Sequence, residues 1–154
     1  MPAAAGAQVD SALAVSKNGT SLFRVNVDGT IRAYSSSDPL IRLRAGSPEG
    51  DRFRVDSAGG VVALGSLGIG LIPQTGAGER MMWYPFRSVF RAGGVSGSQW
   101  DDGNLGFYNA AFGYNSNARG NYSFAAGFDT NVQGSYGVGL GYKANSNGTA
   151  AVSL

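Results

Sequence analysis

The last third of the chain repeats every fourteen residues without a gap. Residues 107–120 read FYNAAFGYNSNARG, residues 121–134 read NYSFAAGFDTNVQG and residues 135–148 read SYGVGLGYKANSNG. A fourth unit begins at Thr149, and the sequence ends inside it at Leu154, in the column of Phe112, Ala126 and Leu140. Tyr108, Tyr122 and Tyr136 share one column, and Asn117, Asn131 and Asn145 another. Gly113, Gly127 and Gly141 form a third, each followed by an aromatic residue, and Gly120, Gly134 and Gly148 close the units. A fixed short period commits a chain to stacked copies of one unit, each burying its face only against its neighbours.

Within a unit the residues alternate, which is the signature of a strand. Tyr122, Phe124, Ala126 and Phe128 fall on one side, and Ser123, Ala125 and Gly127 on the other. Two glycines seven residues apart predict two short strands and two bends per unit, with glycine at the bends because it reaches positive φ without a steric cost. Stacking such coils at ~4.8 Å turns columns into ladders. The spacing therefore predicts an amide ladder of Asn117, Asn131 and Asn145 and a ring stack of Tyr108, Tyr122 and Tyr136. Both read first as structural supports, and the tyrosines also as candidate surface-binding residues. Serine, alanine and glycine on one side would let a foreign backbone approach. Three coils make a small core, which commonly needs oligomerisation. The expectation is that the small faces of several chains pack together.

Composition narrows the function. Among 154 residues there is no histidine and no cysteine. Cysteine/histidine zinc sites, thiol nucleophiles, disulfides and a Ser-His-Asp triad are excluded. No cofactor and no metal is expected. The 25 glycines are about one residue in six, and charged residues are only 14%, against a usual ~25%. A net charge of +2 does not mark a nucleic-acid face. No apolar run approaches the ~20 residues that span a bilayer, so no membrane insertion is expected of this stretch, and no secretion signal opens it.

A looser repeat, offset by thirty, lies upstream. Phe23-Arg24-Val25, Gly29, Ile31 and Ala33 match Phe53-Arg54-Val55, Gly59, Val61 and Ala63. Asn18-Gly19 and Asp28-Gly29 between alternating runs predict tight hairpin turns. Each copy then reads as a three-strand meander, with strands over 13–17, 22–27 and 30–34 in the first and 40–44, 52–56 and 60–64 in the second. A lone meander buries too little to stand alone. Arg24, Arg32, Arg42, Arg44, Arg52 and Arg54 fall on its polar faces. They read either as partners of Asp28, Glu49, Asp51 and Asp56 on neighbouring strands or, for Arg42 and Arg44 above all, as a site for an acidic glycan or lipopolysaccharide phosphate.

Between these regions, residues 65–78 read GSLGIGLIPQTGAG, glycine and proline punctuation that predicts a neck. Pro73 stands where a third glycine would complete a dinucleotide fingerprint. Met81 to Phe90 is the densest apolar run, expected to plug the repeat region onto what precedes it. Asp101-Asp102-Gly103-Asn104 is the one acidic cluster; it lacks the remaining ligands of a calcium loop and reads as a turn capped by aspartates.

The fourteen-residue period with small residues, glycine and the aromatic after it resembles the head repeats of trimeric autotransporter adhesins (YadA-like). The stretch RMMWYPFRSVFRAG at 80–93, with QWDD at 99–102, resembles a segment that precedes such rolls in fibre proteins of phages and phage-like particles. The resemblance implies a left-handed parallel β-roll, three chains to a head. The fibre proteins often continue into a C-terminal chaperone and the autotransporters into a membrane-anchor barrel. Neither lies in these 154 residues, and the ending in mid-repeat predicts that the natural chain runs on. The combined expectation is an all-β, elongated, parallel homotrimer: meander shaft repeats over 8–66, a neck over 67–106 and a β-roll head over 107–154. Its function would be structural and adhesive, not enzymatic, in a virion tail fibre or contractile injection particle that presents a tip to a host-surface glycan or protein. The alternatives are a bacterial surface adhesin head and, further off, a polysaccharide-degrading tailspike.

Overall fold

The computed structural model describes residues 11–17, 20–26, 31–33, 41–45 and 50–154. It is built of strands. Helix is confined, among the described residues, to two single 3-10 turns, Pro85–Arg87 and Asp102–Asn104. The chain divides into two units, residues 1–64 and 65–154.

The first unit holds two antiparallel meanders. One runs β1 (Ser11–Lys17), β2 (Thr20–Asn26) and β3 (Ile31–Ala33); the other runs β4 (Ile41–Ala45), β5 (Gly50–Val55) and β6 (Val61–Ala63). The thirty-residue offset is a true structural repeat, since Phe23 pairs with Ala33 and Val25 with Ile31 as Phe53 pairs with Ala63 and Val55 with Val61. The Asn18-Gly19 and Asp28-Gly29 turns lie outside the described residues. In the second meander the β5–β6 turn is closed by Asp56, whose Oδ1 accepts from Ala58 N (3.0 Å) and Gly60 N (2.6 Å), so this aspartate serves its own turn rather than a neighbouring arginine.

The second unit is a β-solenoid of about three turns. Its long strands are β7 (Gly78–Tyr84), β8 (Val89–Val95), β9 (Ala110–Tyr114), β11 (Phe124–Phe128), β13 (Val138–Tyr142) and β15 (Val152–Ser153). They form one six-stranded sheet in the order β15-β13-β11-β9-β8-β7. The short strands β10 (Asn117–Ala118), β12 (Asn131–Val132) and β14 (Asn145–Ser146) form a second parallel ladder. Registers follow the sequence period: Ala111, Ala125 and Gly139 pair in line, as do Asn117, Asn131 and Asn145. The apolar run Met81 to Phe90 lies in the antiparallel hairpin β7–β8, part of this same sheet. From β8 to β9 the offset is twenty residues, with Gly93 over Gly113; the fourteen-residue spacing starts only with the next coil.

The interior of the coils is made of the small side chains. Ala111, Ala118, Ala125 and Val132 are fully buried together. The expectation that this face meets other chains is corrected: it is each chain's own core, because two strands bent back on each other within fourteen residues leave no room for larger groups. Hydroxyls finish the lining by tying coil to coil. Ser116 Oγ donates to Gly127 O (2.8 Å) and Thr130 Oγ1 to Gly141 O (3.0 Å). At the β7–β8 end, Tyr84, Val89 and Leu105 form a second cluster, with Ile72 and Phe86 against it.

Of the two glycine columns, Gly113, Gly127 and Gly141 take the positive φ expected, 101–135°, but they do so inside the long strands and not at the bends. The left-handed bend residues are mostly not glycine: Tyr108, Tyr122, Tyr136 and Ala150 have φ of 54–60° and Asn115, Asp129 and Lys143 have φ of 52–57°. Each such residue costs about 1–2 kcal/mol in this conformation. The repeated geometry offsets it with a hydrogen bond to the coil before: Tyr122 N to Phe107 O, Tyr136 N to Asn121 O and Lys143 N to Phe128 O, each 2.8 Å. Gly120 and Gly134 lie outside the positive-φ region, but a Cβ on either would overlap the carbonyl of the glycine one coil on. They are present for close approach, as is Gly127, which also has φ of 135°.

Candidate functional site

The outward positions of the six-stranded sheet make one continuous apolar face. Alternation puts Met81 and Trp83 of β7, Phe90 and Ala92 of β8, and then Ala110/Phe112, Phe124/Ala126 and Val138/Leu140 of successive coils on it. Met81 is 78% exposed, Val152 67%, and Phe112, Phe124 and Leu140 are each more than a third exposed. Glu79, at one corner beside Gly94, is the one charged side chain among these outward positions. Large and small alternate from rung to rung: Phe90, Ala110, Phe124 in one row against Ala92, Phe112, Ala126 in the next. The rings interlock across the rows, with Phe112 5.7 Å from both Phe90 and Phe124.

Two aromatic ladders flank this face. Along the edge where the strands begin, Tyr108, Tyr122 and Tyr136 stack at 5.2 and 5.1 Å, within 5° of parallel. The ring stack expected from the sequence is there, and the three rings are about half exposed. Along the edge where the strands end, Tyr114, Phe128 and Tyr142 stack at 5.6 and 5.5 Å. Between the first ladder and the face lies a groove of about 450 Å³, walled by Trp83, Phe90, Tyr108, Tyr122 and Phe124 and floored by Ala110. The Trp83 indole nitrogen is buried without a partner.

The asparagine column behaves differently. Asn117, Asn131 and Asn145 are in register, but Asn117 Oδ1 is buried with no hydrogen-bond partner, so an amide ladder does not run through its first rung. Arg42 and Arg44 both face Asp51, at 3.3 and 3.5 Å, and Arg54 joins them at 3.7 Å. This is the neighbouring-strand pairing weighed in the sequence, gathered on one carboxylate. Glu49 and Asp28, the other partners considered, lie outside the described residues.

The acidic cluster holds the start of the solenoid together. Arg87 donates to both oxygens of Asp102, Nε to Oδ1 (2.8 Å) and Nη2 to Oδ2 (3.0 Å), and Tyr84 Oη donates to Oδ1 (3.0 Å). The Arg87 hydrogen bonds hold the Asp102 carboxyl below the usual carboxylate range. Burial, then the neighbouring carboxylate, raise the Tyr84 phenol above its ordinary value. Asp101 Oδ1 accepts from Gly76 N (2.7 Å). Both carboxylates are thus engaged in tying loops.

Arg91 was not visible in the sequence as a special residue. It occupies the interior column of Ala111 and Ala125 and is fully buried. Its Nη1 donates to Phe90 O (2.9 Å) and Asn109 O (3.3 Å), its Nη2 to Asn109 Oδ1 (2.6 Å) and Ala118 O (3.0 Å). Burial pulls the guanidinium down to about 10, so it keeps its proton at neutral pH. The side chain plugs the end of the alanine core and gives a donor to the Ala118 carbonyl at the open edge of the β10-β12-β14 ladder, as buried carbonyls require. Trp100, also fully buried, does the same for Ser116 O through its indole N–H (2.7 Å). The signal for Arg91 was the match of Phe90-Arg91-Ala92-Gly93 to Ala110-Ala111-Phe112-Gly113, hidden by the twenty-residue first coil.

Comparison with protein-family models, with curated proteins and with solved structures gives no match for this chain. Among the described residues no helix is long and apolar enough to cross a membrane.

Proposed function

We propose that this chain is a segment of a homotrimeric fibre of the phage or phage-like kind, with a structural and adhesive role and no catalysis. The observation that carries the reading is the outer face of the solenoid. It is apolar from β7 to β15, and a soluble monomer rarely exposes a continuous patch of that kind. Six strands at ~4.8 Å and five residues at ~3.3 Å give a face of roughly 29 by 16 Å before the flanking ladders are added. Association through this face, not the small one, is how three parallel chains would share a core. The exposed Ile41, Leu43 and Val61 of the second meander support the same habit in a shaft. The resemblance of 80–93 and of the fourteen-residue units to fibre and adhesin segments favours this class, with the bacterial adhesin head as the neighbouring reading.

Light scattering or sedimentation of the purified chain is the first test. A folded monomer at micromolar concentration would refute the trimer. Binding of the trimer to whole cells or glycan arrays then tests adhesion, with avidity arising from threefold presentation. A sugar-release assay tests the tailspike alternative: turnover on capsular or lipopolysaccharide substrates that Asp101→Ala abolishes would overturn the non-enzymatic reading.

A further inference from the structure

The geometry points to a specific joint between copies: in the trimer, Tyr114 of one chain enters the notch over Ala110 of the next chain. The inference rests on the trimer proposed above and adds which residues meet. A cyclic trimer is built from heterologous contacts, so one patch must meet a different patch on the neighbour. The apolar face has two unlike edges. Where the strands begin it is concave, because Ala110 sits between Phe90 and Phe124 in the same row and the groove of about 450 Å³ opens above it. Where the strands end, the ladder Tyr114–Phe128–Tyr142 presents exposed stacked rings and serves as the convex partner of that groove.

Height selects the pairs. A threefold axis parallel to the stacking direction keeps each rung level with its copies. Ala110 and Tyr114 belong to the same strand, β9, so the only aromatic of the convex ladder at the height of the notch is Tyr114. One rung on, Phe128 meets Phe124, both in β11. The occupant is a second copy rather than an unrelated protein, because both ladders have the one-ring-per-rung spacing of 5.1–5.6 Å, and only a chain stacked at the same rise keeps register along the whole edge. The groove is walled mainly by aromatic rings, which suits an incoming phenol ring that carries its hydroxyl at its outer end.

The test places a photoreactive benzophenone amino acid at position 114 of the full chain, made as a mixture of isotope-labelled and unlabelled copies. The expected product joins 114 of one copy to Phe90, Ala110 or the 122–124 segment of another. A trimer whose label joins ladder to ladder, at 114, 128 or 142, or stays within one chain, overturns the joint while leaving the trimer standing. A folded monomer overturns both. In parallel, Ala110→Phe fills the notch and is expected to release monomer at concentrations where the parent is wholly trimeric, with strand content unchanged by circular dichroism. Adding Tyr114→Ala to Ala110→Phe is expected to restore assembly. An Ala110→Phe chain that is as trimeric as the parent overturns the joint; should that chain fail to fold, the cross-link alone decides.

Discussion

Four glycine-to-alanine substitutions separate the two reasons for which glycine is used in the solenoid. Gly148 has neither a positive φ nor an obstructing neighbour, and a Cβ added there would meet Ala151 Cβ at an ordinary 3.5 Å. Gly141 has φ of 104° and open space where a Cβ would stand. Gly134 lies outside the positive-φ region, but its Cβ would overlap the Gly148 carbonyl; Gly127 has φ of 135° and would overlap the Gly141 carbonyl. Backbone cannot rotate out of the way as a side chain can. Gly148→Ala is therefore expected to be neutral, or stabilising by up to about 0.4–1 kcal/mol through the unfolded chain. Gly141→Ala should cost about 1–2 kcal/mol from the left-handed backbone. Gly134→Ala should cost about 1–3 kcal/mol from overpacking, and Gly127→Ala, combining the two, about 2–5 kcal/mol. At roughly 4–8 °C per kcal/mol for a unit of this size, Gly127→Ala should lower the melting temperature by about 8 °C or more. Denaturation must be compared at one protein concentration, since association adds to apparent stability. If Gly148→Ala is as damaging as Gly134→Ala, or Gly141→Ala as damaging as Gly127→Ala, close approach of the coils is not why those glycines are there.

Other consequences are independent of that set. Arg91→Met should destabilise the solenoid by about 2–4 kcal/mol in chemical denaturation, because Asn109 and the Ala118 carbonyl lose their buried donor. Acid should loosen the Arg87–Asp102–Tyr84 knot: the folded carboxyl lies below its unfolded value, so its stabilisation is present above about pH 4 and is lost as pH falls through the folded value. Asp102→Asn should flatten that acid limb in a stability-versus-pH series. Asp51→Ala, which leaves Arg42, Arg44 and Arg54 without their shared carboxylate, should cost less than about 1 kcal/mol, with the difference from the parent shrinking as salt is added.

The coil length and the strand registers were legible because column identity and hydrogen-bond register are the same fact in a solenoid. Asn117 lies beside Asn131 because they are fourteen apart. Which side of the strand is inside was not legible. Alternation separates Phe124 from Ala125 but says nothing about which one is covered. The habit of placing large apolar groups in the core fails where the cross-section admits only alanine, valine and hydroxyls. The bends were misplaced for a related reason. Glycine has two uses, positive φ and absence of a Cβ, and the sequence does not say which one applies at Gly120; nor does Tyr122 advertise φ of 56°. The extent of the sheet was hidden by the twenty-residue first coil, which breaks the period while keeping the strand. The tyrosine ladder was readable as a column, whereas the groove beside it needs Trp83 and Phe90 from a different part of the chain.

The coil-to-coil register has a consequence for how such a sequence can change. Each long strand bonds the copy of itself fourteen residues away. Insertion or loss of a single residue inside a strand would therefore turn Ala125-like positions outward and Phe124-like positions inward over the rest of that strand, the slip that a period-two pattern punishes most, whereas length added between strands can be looped out, as the twenty-residue first coil shows. Whole units are different. Removing 121–134 would join Gly120 to Ser135 in the columns they already occupy and shorten the rod by one rung, ~4.8 Å. The rod is thus a ruler graduated in fourteens: its length can be edited by duplication or deletion of entire units, while its girth, fixed by how little an alanine-lined coil can hold, stays the same.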